Sequence, residues 1–520
     1  MNPRLLVLGT LLVLALVTWL QFGTGGAPAG AGNTRILRIA HTNIDPAVRE
    51  AFATIAREFM ASRPGVEVRI TDVPITLYRP WLHTQFTGGT PPDIVEAPGW
   101  LTPDDALAYL EELGPWLRRP NPENHGTPLA DVAWRDTFLT GLNEQPNYYE
   151  SILGHYSVPA SIMTLRLVFN RDLHARILGP AGPPRTVQDL ARACDRITRH
   201  GLDQDVIPLA AAGTGARILL TSIMRSCTVS LHRDLDPLAA GWNWDDEAII
   251  AYLQGRWDWD TPAVQTALHQ MREAGRHLSP GAFQMRAADA SFPFMQGSAV
   301  YYVAGSNEFT TLLKQCAFPL GVVRLPVGGV SGAGTMAEGN FVPMASLAIT
   351  RASPNRDLAI EFLHFLTSQE GNRRFSTLSD WLPGVRGVEP DERLADFAAD
   401  TTGDPPGFSF WLMNDTRLLG LLDREIHRLI RYQGSVEDFR NAVEPSYRQL
   451  LRLTLERYSQ RITLMQQRLD IALGAQDRLH ALDRAPEGLR ETDSLWEVQV
   501  LSTLRAARHR HALGETAAHP

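Results

Sequence analysis

Along residues 35–72 the apolar positions change period twice. Ile36, Leu37, Ile39 and Ala40 form a compact apolar run. After Asp45-Pro46, the residues Phe52, Ile55, Ala56 and Phe59 recur three and four apart, and Val66-Glu67-Val68-Arg69-Ile70 then alternates strictly. A buried run, a helical period and a period of two predict strand, helix and strand. A right-handed crossover makes the two strands parallel neighbours in one sheet, with the ligand-facing loops at their carboxyl ends. The stretch FTGGTPPDIVEAPGW, residues 86–100, follows the same logic. TGGTPP is a turn, DIV a short buried strand, and EAPGW the loop at its carboxyl end, which delivers Glu96 and Trp100 to the crevice.

The two ends of the chain carry different patterns. Arg4 precedes an uncharged apolar run from Leu5 to Leu20, followed by glycine, alanine and proline and by Ala27-Pro28-Ala29, a small-residue cleavage pattern. Residues 1–32 therefore read as an export segment of a periplasmic or otherwise extracytoplasmic protein. The run is long for a signal peptide and short for a membrane span, so cleavage and a membrane tether retained through residues 5–20 both stay open. No cysteine follows it, which excludes a lipid anchor. Near the other end, Leu451, Leu455, Tyr458, Ile462, Met465, Leu469 and Ala472 alternate four and three apart, with arginines and glutamines on the remaining faces. This heptad stripe predicts a long amphipathic helix that either packs on its own second lobe or docks a partner or second copy. Beyond Gly474 the segment SLWEVQVLSTLRAARHRHAL predicts a weaker helix and then a loose tail, in which His509 and His511 read as solvated side chains and not as metal ligands.

Composition narrows the function classes. The chain has 520 residues, 44% hydrophobic and 20% charged, which suits a globular protein of two or three compact domains. Its net charge of −8 and the lack of a basic block favour no nucleic-acid partner. Lys314 is the only lysine, and no Gly-Lys phosphate loop is present. The three cysteines, Cys194, Cys227 and Cys316, are widely spaced and read as small buried hydrophobes, with at most one bridge among them. No HExxH, Gly-x-Ser-x-Gly or Cys/His pairing motif offers a metal site or a nucleophile, so no cofactor and no enzymatic chemistry is expected.

Two acidic clusters resolve as structure. In RWDWDTPAVQTALHQM, Asp260 and Thr261 before Pro262 form a helix start that Trp259 anchors. Asp104 with Asp105, and Glu111 with Glu112, resemble a glycosidase pair only in composition, because adjacent residues on a helix point apart.

Several motifs, taken in order, resemble those of the extracellular solute-binding proteins of ATP-driven (ABC) importers, family 1, the sugar-binding type. FMASRPGVEVRI and TGGTPPDIV are similar to the family's segment around its second and third strands. VPASIMTLRLVFNRDLHARILGPAGPPRTVQDLARACDRIT resembles its crossover strand and the helix after it. FMQGSAVYYVAGSNEF, FPLGVVRLPVG, PNRDLAIEFLHFLTSQEGNRRF and REIHRLIRYQGSVEDFRNAVEPSYRQL continue the resemblance to about Leu450.

The resemblance implies an α/β, two-lobe periplasmic-binding-protein fold (type II) with an added C-terminal helical extension. It implies lobe 1 over residues 35–145 plus 285–340, lobe 2 over 146–284 plus 341–445, and an extension over 446–520. The lobes close by a hinge over a ligand, and no covalent step is involved. A saccharide suits such a cleft, with aromatic faces on its C–H surfaces and carboxylates or amides on its hydroxyls. Glu96 favours a neutral sugar, oligosaccharide or polyol over an anionic solute. Family affinities around ~1 μM correspond to about 8 kcal/mol.

Contacts in this fold come from loops after strands, which marks His41, Thr42 and Asn43 after the first strand and Glu96 with Trp100 after the third. Ser306 and Asn307 stand where many members of the family carry an aromatic platform. Asn340 lies in the glycine-rich return AEGNFVPM, Trp381 in SDWLPG, and Trp242 with Trp244 in GWNWDD form a further candidate platform. The implied function is a receptor that hands a carbohydrate to ABC permease subunits. The alternative is a membrane-tethered sensor or scaffold that uses the same fold and docks partners through its C-terminal helix.

Overall fold

The strands follow one another as β1 (Arg35–His41), β2 (Val66–Asp72), β3 (Ile94–Glu96), β4 (Tyr148–Tyr149), β5 (Gly154–His155), β6 (Val158–Met163), β7 (Leu165–Asn170), β8 (Ile207–Ala211), β9 (Ala299–Gly305), β10 (Leu320–Arg324), β11 (Val342–Ile349) and β12 (Leu382–Pro383). The structure is a computed structural model, and it describes residues 34–43, 45–143, 145–200, 206–235, 245–328, 342–400, 407–411, 416–481 and 492–514. The export segment 1–32, Trp242, Trp244 and Asn340 lie outside these residues. No helix among the described residues is long and apolar enough to cross a membrane.

The helix Pro46–Ser62 starts where the sequence places it, with Pro46 in its first turn and the Asp45 side chain accepting from the Ala47 N–H. It carries the chain from β1 to a parallel β2, with Arg35 opposite Val66 and His41 opposite Asp72. The first sheet runs β12-β6-β11-β3-β1-β2. Phe52, Ile55 and Phe59 of this helix meet Leu37 and Ile39 of β1 and Phe362 and Phe375 from the helices Arg356–Leu366 and Gln369–Ser379. Tyr78, Leu82 and Phe86 of the helix Ile75–Thr87 cover Val95 on the other face, with Tyr149 and Tyr156. A sheet covered on both faces needs its strands apolar on both, and β3 and β6 are accordingly apolar runs.

The second sheet runs β10-β7-β9-β8. Its strand β9 is buried throughout. Tyr301 and Val303 turn into a large core with Leu219, Ile223 and Leu268, while Tyr302 and Ala304 turn the other way onto Phe294 and Phe309. That period of two places helices on both faces of this sheet as well.

The pairing corrects the lobe boundaries read from the sequence. β9 and β10, expected with lobe 1 in 285–340, pair with β7 in the second sheet. β6, expected in lobe 2, and β11 and β12, expected there within 341–445, belong to the first sheet. The segment 148–156 also packs on the first lobe through Tyr149, Ile152 and Tyr156. Short β-branched runs specify burial but not which sheet they join, so local pattern could not assign them.

The C-terminal extension is two helices, Val436–Ala481 and Thr492–Leu513, lying side by side. Leu451, Leu455, Tyr458, Ile462 and Leu469 of the predicted stripe are buried, and Met465 packs on the first-lobe core. The side chain of Ala472 lies outside those described. The stripe thus covers its own chain, and it reaches both lobes, not the second alone. His509, expected in a solvated tail, is fully buried against Asp246 at 2.9 Å. His511 follows expectation at the exposed surface. None of the three cysteines is disulfide-bonded, and Cys194 and Cys227 are buried.

Trp259 anchors the helix Pro262–Gly275 as expected, buried edge-on against Trp257 at a centroid distance of 5.8 Å. Trp257 is also buried and donates from Nε1 to the Ala248 carbonyl at 2.8 Å. Truncating it to alanine leaves a cavity and removes this hydrogen bond, so Trp257→Ala is expected to cost roughly 3–5 kcal/mol of stability, read as a lowered urea midpoint.

Candidate functional site

Strand directions define where a ligand can sit. β1, β3 and β6 run the same way, since β11 is antiparallel to both β3 and β6 and β1 is parallel to β3. β6 ends at Met163, and after the single residue Thr164 the chain enters the second sheet as β7. β9 and β10 are antiparallel to β7 and β8 is parallel to β9, so β8, β9 and β10 all end beside the start of β7. With β2 parallel to β1, the carboxyl ends of seven strands therefore converge on one boundary between the lobes, the crevice position of open α/β sheets. Register sets its width. Glu96 stands level with Leu347 and thus with Val158, and five residues of β6 run on to Met163, about 17 Å at ~3.3 Å per residue.

On the first lobe, Glu96 lies at the end of β3, partly buried, and its Oε2 accepts from both the Thr42 N–H at 2.7 Å and the Thr42 hydroxyl at 2.9 Å. The Glu96 carbonyl accepts from the Tyr78 hydroxyl at 2.8 Å. The sequence reading thus brings Thr42 and Glu96 together, two strands whose carboxyl ends lie side by side. Trp100 is part-exposed beyond Glu96. Its ring stacks on His83 at 5.9 Å, and the Arg79 guanidinium lies 5.2 Å from its centroid. The helix Ile75–Thr87 therefore fixes the indole, which favours a platform held in place.

His41 does not join them. It continues the face of Leu37 and Ile39 on β1, is fully buried, and stacks on Phe52 at 4.5 Å. Its Nε2 lies 3.0 Å from Asp72 Oδ1, and its Nδ1 accepts from the Asn43 N–H at 3.2 Å. Burial lowers its pKa, with Asp72 opposing and Arg49 reinforcing the shift. With Asp72 beside its Nε2 and Asn43 on its Nδ1, the buried ring holds the strand ends in place.

On the second lobe, Ser306 follows β9 and is fully buried. Its N–H donates to the Thr164 carbonyl at 2.9 Å, and its hydroxyl accepts from the Thr164 N–H at 3.4 Å. Both polar groups of Ser306 are thus spent on the interlobe crossing. Asn307 is half-buried beside it. A Cβ at Gly305 would sit 2.7 Å from Met163 Sδ and 2.4 Å from Asn307 Oδ1, so glycine lets β9 approach the crossing. Trp381 precedes β12 but turns into the first core, edge-on to Phe375 at 6.5 Å. Of the eight candidates among the described residues, Asn43, Glu96, Trp100 and Asn307 are partly exposed, Thr42 is buried beside Glu96, and His41, Ser306 and Trp381 are packed into the fold.

Two further elements at the same boundary were not singled out from sequence. The run Ala211-Ala212-Gly213 ends β8 and opens the helix Gly213–Cys227, level with Val303 of β9. Its signal was present in IPLAAAGTGAR, a strand followed by glycines. The paired stretch of β6 and β11 forms the floor between the lobes, with Ala345 at φ 45, a backbone conformation costly for alanine.

The family model described as bacterial extracellular solute-binding protein matches residues 54–402. The fold is similar to that of the GacH receptor of Streptomyces glaucescens GLA.O, solved unliganded and with acarbose, at 18% identity and a TM-score of 0.55, over 80% of this chain and 98% of that one. It is similar to the cyclic alpha-maltosyl-1,6-maltose binding protein of Arthrobacter globiformis at 17% identity and a TM-score of 0.57, over 80% of this chain and 98% of that one. A chitin oligosaccharide binding protein aligns at 19% identity and a TM-score of 0.52, over 80% of this chain and all of its own. These relatives are binding proteins. Among curated proteins none matches the chain in sequence.

Burial raises the Glu96 carboxyl above its ordinary value of 4.5, and the two Thr42 hydrogen bonds pull it back in part. A raised folded value means that the native state holds the proton more tightly than the unfolded chain. The stability this contributes is complete below about 4.5 and is lost as the pH rises through the folded value. Glu96→Gln cannot titrate, so its stability relative to the parent chain is expected to rise between about pH 4 and about pH 7. Urea unfolding of both proteins at the two pH values measures it, and a pH-independent difference would contradict the raised value.

Proposed function

The chain belongs to the bacterial extracellular solute-binding proteins, matched over residues 54–402, and on that premise we propose that it captures a neutral saccharide or polyol between its lobes and delivers it to an ABC permease. The reading rests on Glu96 held by Thr42 at the end of β3, with Trp100 four residues further on packed against the helix Ile75–Thr87. Thr42 occupies Oε2 of the carboxylate, and the second oxygen can accept a sugar hydroxyl in a charge-assisted bond. A fixed indole alongside offers its face to the C–H surface of the same ring. The solved relatives named with acarbose, maltosyl-maltose and chitin oligosaccharide support a saccharide before an amine. A cleft floor of about 17 Å suits an oligosaccharide better than a single ring.

Closure about the crossing at Thr164 is the working step, and no residue acts as nucleophile or general acid. Residues 1–32 serve as the export segment in this reading. Retention at the inner membrane through residues 5–20 belongs to the sensor alternative. The amphipathic stripe offers that alternative less support, because its apolar side chains are already covered by the same chain.

A thermal-shift screen of the protein against neutral mono- and oligosaccharides, polyols and polyamines tests the proposal. A ligand at about a hundred times its dissociation constant adds roughly 2.7 kcal/mol. The expected result is a shift with a neutral saccharide that Trp100→Ala and Glu96→Ala both abolish. A saccharide shift surviving both substitutions would leave the receptor and remove the site. A shift with polyamines alone would overturn the saccharide assignment.

A further inference from the structure

The C-terminal helices lie beyond residue 402, where the match to the solute-binding family ends. They run antiparallel, with the Arg452 guanidinium donating to the Leu513 carbonyl, Gln466 to Thr503 and Gln499 to Asp470. Along the first of them the partners change. Phe439, Val443, Tyr447, Leu451 and Leu455 sink into the second-lobe core. Met465 then packs on the first-lobe core, and Arg461 reaches Asp104 of the first lobe at 3.1 Å.

The second helix carries a buried charge cluster to the same junction. Arg505, only 1% exposed, lies 2.6 Å from Asp246 Oδ1 and 3.1 Å from Glu150 Oε1, and also donates to the Glu150 carbonyl. His509 Nε2 lies 2.9 Å from the other Asp246 oxygen, and Arg508 pairs with Glu247. Asp246 opens the helix Asp245–Leu253, whose Ile249 and Ile250 belong to the second-lobe core. Glu150 sits between Tyr149 and Ile152 of the first-lobe core. The two lobes also touch directly here, for the Glu150 carboxylate accepts from the backbone N–H groups of Asp245 and Asp246 at 3.3 and 3.1 Å. Burial works to raise the Asp246 carboxyl, but Arg505 and His509 outweigh it and hold it below the usual carboxylate range. Burial and the neighbouring Asp246 push the Glu150 carboxyl well up, with Arg505 opposing them. One guanidinium thus joins an acidic side chain of each lobe, away from the Thr164 crossing in sequence and supplied by a segment outside the family match.

We propose that the C-terminal hairpin is an interlobe clasp, in which Arg505 ties Glu150 of the first lobe to Asp246 of the second and so limits the lobes to rotation about that contact. It rests on the two-lobe fold and not on the identity of the solute. The chain passes between the lobes at Thr164, again between β10 and β11, and again between β12 and Phe408 of the second-lobe core. The clasp adds a contact away from these passages and so narrows the lobe motions they allow.

The test is the interlobe distance distribution of the full chain without ligand. Nitroxides at Arg57→Cys and Arg192→Cys, on a Cys316→Ser background, place one exposed label on each lobe. Pulsed electron resonance is expected to give a narrow distribution with the clasp intact and a broadened, displaced one in Arg505→Ala. An unchanged distribution in a variant that still melts cooperatively would overturn the clasp. Should Arg505→Ala fail to fold, Glu150→Gln combined with Arg461→Ala loosens only the first-lobe grip, and the same broadening is expected. A narrow, undisplaced distribution there would equally overturn it. Because no solute enters the measurement, its outcome is independent of the saccharide screen.

Discussion

The structure depends on getting a chain from one buried sheet to another without leaving a polar group unmet. β6 and β7 are buried along their whole lengths on either side of Thr164. A backbone crossing through such a region must find partners for its N–H and C=O groups or lose roughly 1–3 kcal/mol for each one stranded. Thr164 answers with its N–H to Ser306, its carbonyl from Ser306, and its hydroxyl to the Phe397 carbonyl at 2.6 Å. Arg166, 1% exposed, donates to the carbonyls of Asp396 and Ala398. The crossing is therefore knitted to a returning segment, and it is one of the passages between the lobes about which they can move as bodies. Gly305 is part of the same constraint, since a Cβ there would press on the side chains of Met163 and Asn307.

That economy of partners also decides which polar residues are free to bind. Ser306, His41 and Trp381 stand at strand ends as a binding loop would have them, yet each is committed to the fold: Ser306 to the crossing, His41 to Asp72, and Trp381 to the first core. Glu96 differs. Its two protein donors both come from Thr42 and converge on a single oxygen, so the carboxylate is positioned without being saturated. Burial raises its pKa, which makes each hydroxyl donated to its ionised form more valuable than the same bond at an exposed carboxylate. A partly desolvated carboxylate suits an uncharged, hydroxyl-rich solute and disfavours an anion.

Local pattern made much of this legible. The change of period over residues 35–72 gave the βαβ unit, the Gly/Pro-bounded run at 94–96 gave β3, and heptad spacing gave the long C-terminal helix. What it could not give were relations between distant segments. The lobe membership of β9, β10 and β11 depends on pairing, and a run such as AVYYVAG carries no mark of its neighbour. His41 was readable in principle, because it keeps the two-residue phase of Leu37 and Ile39 and so faces the core. His509 was not, since the carboxylate that buries it lies 263 residues earlier in the chain. Histidines in an arginine-rich tail look solvated until tertiary structure supplies a buried acid.

The clasp and the cleft then constrain each other energetically. Binding at the ~1 μM level of the family supplies about 8 kcal/mol, from which the work of closing the lobes must come. Removing one partner from a buried charge pair costs roughly 3–5 kcal/mol, a large share of that total. Closure that tore Arg505 from Asp246 or Glu150 would therefore leave little affinity for the solute. A motion that keeps the contact made costs far less, because the guanidinium can pivot between its two carboxylates. The lobes are thus driven toward a motion that keeps the Arg505 cluster made. The helices beyond the family match make the ordinary hinge of this fold a guided one.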